Sequence, residues 1–218
     1  MSEAEKLARL LREIEREVRE TARYTGRKEL KPEVSEALAQ VLRHRFVPEA
    51  LKEAAYQNRP LPIGYGQTIS QPFIVAIMTE LLDLEPDHRV LEVGTGCGYQ
   101  TAILAELAKE VYSIERVPEL AEQAEKRLTE LGYRNVEITI GNGFKGWPEK
   151  AAFDRIIVTA APEEIPKPLL EQLKPGGKMV IPVGPPFDQR LKRVVKREDG
   201  TIEVEDIFPV AFVPMVNG

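Results

Sequence analysis

The chain has 218 residues, with 30 Lys or Arg against 35 Asp or Glu, so its formal net charge is −5. An acidic chain has no general attraction to nucleic acids or anionic membranes, and no apolar run approaches the roughly 18 residues that span a bilayer. The N-terminus lacks an apolar signal core, and the single cysteine, Cys97, fits a reducing compartment. We therefore expect a cytoplasmic protein that binds neither nucleic acid nor membrane.

Two helices are predicted at the start of the chain. Residues 2–24 place apolar residues on one face and charged residues elsewhere, and Gly26 should end this helix. A second helix is expected over residues 32–43, because a proline such as Pro32 suits the first turn of a helix. The apolar face of the first helix consists of Leu7, Leu10, Leu11, Ile14 and Val18.

Residues 58–68 are predicted to form a loop, because they contain two prolines and two glycines. A helix should follow over residues 71–82. Ser70 immediately precedes this helix, and a serine there commonly accepts a hydrogen bond from a backbone amide of the first turn. One interpretation of Ser70 is therefore an N-cap.

A strand, a glycine-rich turn and a helix then follow in succession. The first part is an apolar run of Val90, Leu91 and Val93, which is typical of a strand buried in a parallel sheet. The run breaks at Gly94, Gly96 and Gly98, and a helix begins near Tyr99. Glycines let the backbone turn sharply and approach a ligand closely. This order is the first half of a nucleotide-binding βαβ unit.

The spacing of these glycines distinguishes between ligands. A dinucleotide site usually has G-x-G-x-x-G, whereas this loop has G-x-G-x-G with Glu92 two residues before it. The pattern resembles motif I of the Rossmann-like S-adenosylmethionine-dependent methyltransferases. S-adenosylmethionine has no phosphate but carries an ammonium group, which Glu92 would suit directly or through water. A tight turn that binds nothing is the alternative.

The next predicted strand, residues 110–115, ends in an acid. Glu115 lies 21 residues after Gly94, close to the offset of about 20 residues at which an acid meets the ribose hydroxyls in such folds. A carboxylate can accept hydrogen bonds from both hydroxyls of a ribose. The alternative is a solvated acid at the end of a strand.

Helices and strands alternate through most of the remaining chain. This alternation predicts an α/β fold with a doubly wound, mostly parallel sheet, helices on both faces and an N-terminal helical extension. We expect one domain, in which residues 1–82 carry the helices and a substrate loop and residues 83–218 carry the sheet. The remaining predicted elements are a helix over 118–131, strands over 135–140 and 153–159, a helix over 166–172, a strand over 178–183, a hairpin over 192–204 and a strand over 209–214.

A more specific resemblance covers nearly the whole chain. The run of residues 60–72, Pro-Leu-Pro-Ile-Gly-Tyr-Gly-Gln-Thr-Ile-Ser-Gln-Pro, resembles the signature loop of the protein-L-isoaspartate (D-aspartate) O-methyltransferases. Residues 45–48, 175–177 and 212–214 add to the resemblance. These repair enzymes methylate the free α-carboxylate of L-isoaspartyl residues in damaged proteins. Activity on D-aspartyl residues is left open.

The resemblance implies roles for particular residues. It implies an active-site role for Ser70, whose hydroxyl could orient the reacting carboxylate. The family usually has Gly-Asp-Gly where this chain has Gly-Asn-Gly, so Asn142 departs from the pattern, although its amide oxygen could still accept a hydrogen bond from adenine. The implied cofactor-binding residues are Gln67, Thr68, Ile69, Glu92, Gly94, Thr95, Gly96, Gly98, Glu115, Arg116, Asn142, Gly143 and Thr159.

The expected cofactor is S-adenosylmethionine, with S-adenosylhomocysteine as product, and no metal. The two histidines, His44 and His88, have no zinc-site spacing, and the substrate carboxyl needs no general base because its reference pKa is about 3.5. We expect a monomer whose partners are damaged proteins and peptides. The alternatives are a methyltransferase for small molecules or nucleic acid, a nicotinamide oxidoreductase, and a non-catalytic cofactor-binding module.

Overall fold

A seven-stranded sheet forms the centre of the computed structural model, which describes residues 2–217. Helices cover this sheet, and a separate two-stranded ribbon lies outside it. The α-helices of the described residues are α1 (Glu3–Thr25), α2 (Pro32–Gln40), α3 (Pro72–Leu81), α4 (Tyr99–Leu107), α5 (Pro118–Glu130) and α6 (Lys167–Gln172). The strands are β1 (Leu61–Gly64), β2 (Gln67–Ile69), β3 (Arg89–Val93), β4 (Glu110–Glu115), β5 (Val136–Ile140), β6 (Phe153–Val158), β7 (Leu173–Val183), β8 (Gln189–Lys196) and β9 (Ile202–Val210).

The strand order in the large sheet is β5-β4-β3-β6-β7-β8-β9. The first five strands are parallel, and β8 and β9 continue the sheet as an antiparallel meander. The order reverses between β3 and β6, which is where ligands bind in doubly wound folds, beyond the carboxyl ends of the strands. The predicted fold class is confirmed.

The core consists of two layers, one on each face of the sheet. Side chains alternate along β3, so that Val90 packs with the helices α1 to α5 while Leu91 and Val93 pack on the other face with α6. Helices therefore cover both faces, but unequally. Strands β3, β4 and β6 are almost entirely buried, as expected of central parallel strands.

Both N-terminal helices form near their predicted positions. Helix α1 begins with a capping box between Ser2 and Glu5 and ends at Gly26, which adopts the left-handed conformation. Helix α2 is shorter than predicted, because it stops at Gln40 and a 3-10 turn over Arg43–Phe46 follows. No helix within residues 2–217 combines the length and the hydropathy needed to cross a membrane.

The prediction of a loop over residues 58–68 is wrong in part, because this segment contains the antiparallel pair β1 and β2. Tyr65 and Gly66 join the strands with positive φ angles of 54° and 70°, which is the conformation of tight hairpin turns. Both strands of a two-stranded ribbon are edge strands, so they tolerate a residue such as Pro62.

The C-terminal strands differ from the prediction in their limits. Strand β7 begins at Leu173, five residues before the predicted start, and the predicted hairpin around Gly200 is formed by the longer strands β8 and β9. The strand predicted over 209–214 is not separate, since β9 ends at Val210. The chain then turns towards the loop after β6, where Pro214 forms a bridge with Ala161.

Candidate active site

A cleft opens at the carboxyl ends of β3, β4 and β6, where the strand order reverses. Its volume, counted with the space that is open to solvent, is about 940 Å³. Segments that are distant in sequence form its walls, among them β2, the glycine loop after β3 and the C-terminal residues 213–216. The predicted site residues on these walls are Gln67, Thr68, Ile69, Ser70, Gly94, Thr95, Gly96, Glu115, Arg116, Gly143 and Thr159.

Thr159 holds the glycine loop across the switch point of the sheet. Its hydroxyl lies 2.8 Å from the carbonyl oxygen of Gly94 and 3.1 Å from that of Val93. Gly94 has a φ of 100°, and a side chain there would collide with the Thr159 hydroxyl. Glycine is required at this position both for its backbone conformation and for this close approach.

Gly98 faces away from the cleft. It caps the N-terminus of α4 with a φ of 85°, and an added Cβ would lie 3.3 Å from Leu128 and 3.4 Å from Ala124 in α5. The structure therefore does not place Gly98 among the residues that line the cleft, whereas the sequence analysis named it as a cofactor-binding residue. Its lack of a side chain instead allows α5 to pack closely against the start of α4.

Glu115 ends β4 and its carboxylate reaches back to the glycine loop. Oε2 accepts a hydrogen bond from the Gly96 amide at 2.7 Å, and Oε1 accepts hydrogen bonds from the amides of Arg116 at 2.8 Å and Val117 at 2.9 Å. The residue lines the cleft while being only 6% exposed. A carboxylate offers about four lone-pair sites, so the group keeps capacity for about one further hydrogen bond from a ligand.

Glu92 lies inside the protein and not on the cleft wall, which argues against the direct contact with the ligand ammonium that the sequence analysis named beside a contact through water. Side-chain alternation along β3 turns it towards α4, where its Oε2 accepts hydrogen bonds from the hydroxyls of Thr101 and Ser113, each at 2.6 Å. Its Oε1 has no partner among the described residues. Burial raises the pKa of this carboxyl to about 8.

Glu92 is nevertheless connected to the glycine loop. The Ser113 hydroxyl, which donates to Glu92, lies 2.6 Å from the Thr95 hydroxyl. Both hydroxyl residues are buried, and Thr95 lines the cleft. A chain of side-chain hydrogen bonds therefore runs from Glu92 to the floor of the cleft, so that Glu92 supports the loop from within the core.

Ser70 follows β2 on the cleft wall and is half-buried. Helix α3 has Gln71 as its N-cap residue, and the side chain of Gln71 forms no capping bond. The amide of Phe73 in the first turn instead donates to Asn58 Oδ1 at 3.0 Å. The interpretation of Ser70 as the N-cap is therefore wrong, and within residues 2–217 its hydroxyl has no hydrogen-bond partner.

Asn142 does not line the cleft, although its neighbour Gly143 does. Asn142 Oδ1 accepts a hydrogen bond from the Phe144 amide at 2.9 Å and so caps a short 3-10 turn. A side chain on Gly143 would collide with Val93. The expected contact between the Asn142 amide and adenine stays a prediction.

Several lining residues were missed by the sequence analysis. The C-terminal segment is held in place by Ala161, whose amide donates to the Val213 carbonyl and whose carbonyl accepts from the Met215 amide, both at 2.8 Å. Only the resemblance at residues 212–214 drew attention to this segment, and nothing in its composition indicates a cleft wall. The missed lining residues are Val75, Val93, Cys97, Tyr99, Gln100, Ile114, Val117, Gly141, Ala160, Val213, Pro214, Met215 and Val216.

Neither histidine belongs to the cleft. His44 Nδ1 lies 2.8 Å from the Tyr56 hydroxyl, and His88 Nδ1 accepts a hydrogen bond from the Glu85 amide at 2.9 Å. In the part of the chain that the structure describes, no three His, Cys, Asp or Glu side chains are grouped in a way that could hold a metal ion.

A parallel sheet that reverses at the glycine loop, with an acid at the end of the next strand, defines the Rossmann-like methyltransferase class. Within this class the chain belongs to the protein-L-isoaspartate(D-aspartate) O-methyltransferase family, whose family model matches residues 8–218. The family and the class of enzyme that the sequence analysis predicted are confirmed: S-adenosylmethionine-dependent carboxyl methyltransferases that repair proteins.

Relatives match over most of their length. The chain is 57% identical to protein-L-isoaspartate O-methyltransferase 2 of Syntrophobacter fumaroxidans, over 97% of this chain and 86% of the relative. It is 54% identical to protein-L-isoaspartate O-methyltransferase 2 of a Polaromonas species, over 95% of this chain and 99% of the relative.

Two solved structures are similar to this one. A protein-L-isoaspartate O-methyltransferase superposes with a TM-score of 0.82 at 24% identity, over 97% of this chain and 66% of the other, and shows the fold. A structure described as a protein-L-isoaspartate O-methyltransferase of Plasmodium falciparum, in complex with S-adenosyl-L-homocysteine, has a TM-score of 0.75 at 27% identity, over 85% of this chain and 91% of the other.

Proposed function

We propose that this protein transfers a methyl group from S-adenosylmethionine to the free α-carboxylate of L-isoaspartyl residues in damaged proteins and peptides. The observation that carries the proposal is the convergence, in one cleft, of the glycine loop, the Glu115 carboxylate and the Ser70 segment. The glycine loop and Glu115 suit the cofactor, and the Ser70 segment is the part of the sequence most specific to the family. Family membership and the relatives' names support the same activity.

The chemical types of the residues in the cleft suit the parts of S-adenosylmethionine. Glu115 would accept a hydrogen bond from a ribose hydroxyl at the acceptor site that its three backbone partners leave open. The glycine loop, with Thr95 and Gly96, would lie against the amino-acid moiety, while Arg116 and Gly143 would border the remaining part. Gln67, Thr68 and Ile69 would close the cleft from the side of the β1–β2 ribbon.

The proposed reaction requires mainly that the protein align the carboxylate with the methyl group. When bound, S-adenosylmethionine supplies the methyl group: a carboxylate oxygen forms a bond to the methyl carbon while the carbon–sulfur bond breaks and its electron pair remains on sulfur. The substrate carboxyl is ionised at neutral pH because its reference pKa is about 3.5. The described cleft residues therefore need to orient the carboxylate and exclude water rather than remove a proton.

Ser70 is the residue we assign to this orientation. Its hydroxyl is not used for capping and lies on a wall of the cleft. A hydroxyl can donate a hydrogen bond to one carboxylate oxygen, which leaves the other oxygen free to attack. The half-buried position of Ser70 would limit competition from water.

We also propose that the protein acts as a cytoplasmic monomer without a metal ion, and that it binds neither nucleic acid nor membrane. The net charge of −5 supports the last part of this proposal. The single domain proposed for residues 1–218 would join the N-terminal helices to the sheet. The shared core of α1, α3 and the strands supports that organisation.

Transfer of radiolabel from S-adenosylmethionine to an isoaspartyl peptide tests the function directly, with the matching aspartyl peptide as control. We expect base-labile label on the isoaspartyl peptide alone. Equal labelling of both peptides, or of neither, would contradict the proposal. Calorimetry should show binding of S-adenosylhomocysteine and none of NAD, because the glycine spacing does not match a dinucleotide loop.

A further inference from the structure

Arg43 is a cation in the protein interior without an anionic partner. It is only 1% exposed, and none of the ion pairs formed by residues 2–217 includes it. An arginine side chain stays charged in proteins, and burial of an unpaired charge is costly.

The guanidinium of Arg43 binds the segment that leads to Ser70. It donates hydrogen bonds to three carbonyl oxygens, those of Ala55 at 2.8 Å, Arg59 at 3.2 Å and Ser70 at 2.8 Å. Ala55 and Arg59 precede β1, and Ser70 directly follows β2. One side chain therefore fixes both ends of the β1–β2 ribbon.

Arg43 also lies directly behind the cleft wall. Its guanidinium carbon is 5.4 Å from the centre of the Tyr99 ring, and Tyr99 and Ser70 both line the cleft. Among the described residues, Arg116 is the one cationic side chain on the wall itself, and it follows Glu115, the residue assigned to the cofactor. Arg43 is thus the cationic side chain that is hydrogen-bonded to Ser70.

We propose that Arg43 is a specificity-determining residue, whose buried charge selects a negatively charged carboxylate next to Ser70 over neutral groups and whose hydrogen bonds position the Ser70 segment. The inference rests on the proposed methylation of a free carboxylate. The charge attracts the substrate, which is an anion, and has no such attraction for the neutral methyl ester that the reaction forms. It would therefore favour binding of the substrate and release of the product.

The two roles of Arg43 have different kinetic consequences. The substrate loses its negative charge during the reaction, so the Arg43 charge stabilises the bound substrate more than the transition state. Loss of the charge should raise KM without lowering kcat. Loss of the position of Ser70 should lower kcat instead. A purely structural arginine would change stability and leave the preference for a carboxylate intact.

The test compares Arg43→Gln, Arg43→Lys and Arg59→Gln with the wild type. Each protein is titrated with an isoaspartyl peptide and with the same peptide carrying an α-carboxamide, and the ratio of the two affinities gives the carboxylate preference. Arg59 is exposed in the same segment and pairs with Gln57, so its replacement removes an equal charge at the surface. Binding of S-adenosylhomocysteine reports on the integrity of the remaining cleft.

We expect Arg43→Gln to lower the carboxylate preference by about tenfold or more, with affinity for S-adenosylhomocysteine within about twofold of wild type. Arg43→Lys should restore most of the preference, since it keeps the charge, but with a lower kcat, since it cannot bond all three carbonyls. Arg59→Gln should change the preference by less than about twofold. A folded Arg43→Gln protein with unchanged preference overturns the inference.

The wild type offers a second test that does not depend on folding of the variants. A buried charge is screened far less than a surface charge, so the carboxylate preference should persist between about 0.1 M and about 1 M salt. Collapse of the preference at high salt would assign recognition to surface cations and reject the role of Arg43. If the wild type methylates no isoaspartyl peptide, the proposed function itself fails, which is distinct from failure of the Arg43 inference.

Discussion

Asn58 accepts a hydrogen bond from the Phe73 amide at 3.0 Å, and so caps α3 from a position before the β1–β2 ribbon. The side-chain nitrogen of Asn58, Nδ2, in turn donates a hydrogen bond to Glu17 Oε1 in α1 at 2.6 Å. One side chain therefore joins the N-terminal helix, the start of the ribbon and the helix that follows Ser70. The cap of α3, which one interpretation of the sequence assigned to Ser70, is therefore supplied by Asn58, and the proposed role of Ser70 is in catalysis alone.

Replacing Asn58 with alanine should destabilise the protein. The variant loses the cap of α3, for which the typical cost is about 1 kcal/mol, and it also loses the hydrogen bond that Asn58 donates to Glu17 Oε1. Urea unfolding should show a loss of about 1–2 kcal/mol. Ser70→Ala is the matched control and should cost less than about 0.5 kcal/mol; equal losses in the two variants would contradict the assignment of the cap.

Ser70→Ala should impair turnover while leaving the cofactor site intact. Since the hydroxyl is not a cap, its proposed use is to orient the carboxylate in the transition state. We expect kcat for an isoaspartyl peptide to fall by about tenfold or more, with the dissociation constant of S-adenosylhomocysteine within about twofold of wild type. Full activity in the alanine variant would remove Ser70 from the mechanism.

Glu115→Ala should weaken cofactor binding. The carboxylate would accept a hydrogen bond from a ribose hydroxyl, and a hydrogen bond to a charged group contributes about 1.5–3 kcal/mol. We expect the dissociation constant of S-adenosylhomocysteine to rise by about tenfold or more when measured by calorimetry. Three backbone amides also lose their acceptor, so the variant should be less stable and is best studied at low temperature.

Glu119→Ala supplies the control for this measurement, because Glu119 is an exposed acid in the first turn of α5. Its removal takes away the same charge at a short distance along the chain. Affinity for S-adenosylhomocysteine should remain near the wild-type value. An unchanged affinity in Glu115→Ala as well would place Glu115 outside the cofactor site.

Glu92 should make the stability of the ligand-free protein depend on pH near neutrality. Burial raises its pKa from 4.5 to about 8, so between these values the unfolded chain releases a proton that the folded protein retains. This contribution to the free energy of unfolding is fully present below about pH 4.5 and is lost as the pH rises through about 8. The loss is on the order of 5 kcal/mol for a shift of this size.

Glu92→Gln removes the titration while keeping the shape of the side chain. The stability difference between the variant and the wild type should therefore move in favour of the variant as the pH rises from about 5 to about 9. Denaturant unfolding across this range measures it, with Glu119→Gln as an exposed control. A difference that is constant with pH would show that Glu92 does not titrate in this range.

The sequence by itself was sufficient for the local parts of this protein. The succession of an apolar strand, three glycines and a helix predicted β3, its turn and α4, because these features depend on residues that are neighbours in the chain. Glu115 was predicted for a similar reason, since an acid at the end of the next parallel strand must reach the same edge of the sheet. The alternation of elements also predicted the fold class.

Only the tertiary structure decided which side chains meet. Glu92 belongs to the core because side chains alternate along β3, and the cap of α3 comes from Asn58 because the ribbon brings distant backbone together. The contact between Arg43 and Ser70 spans 27 residues, and the C-terminal cleft wall depends on a bridge to Ala161. Such contacts are set by packing between elements, which no local pattern of residues records.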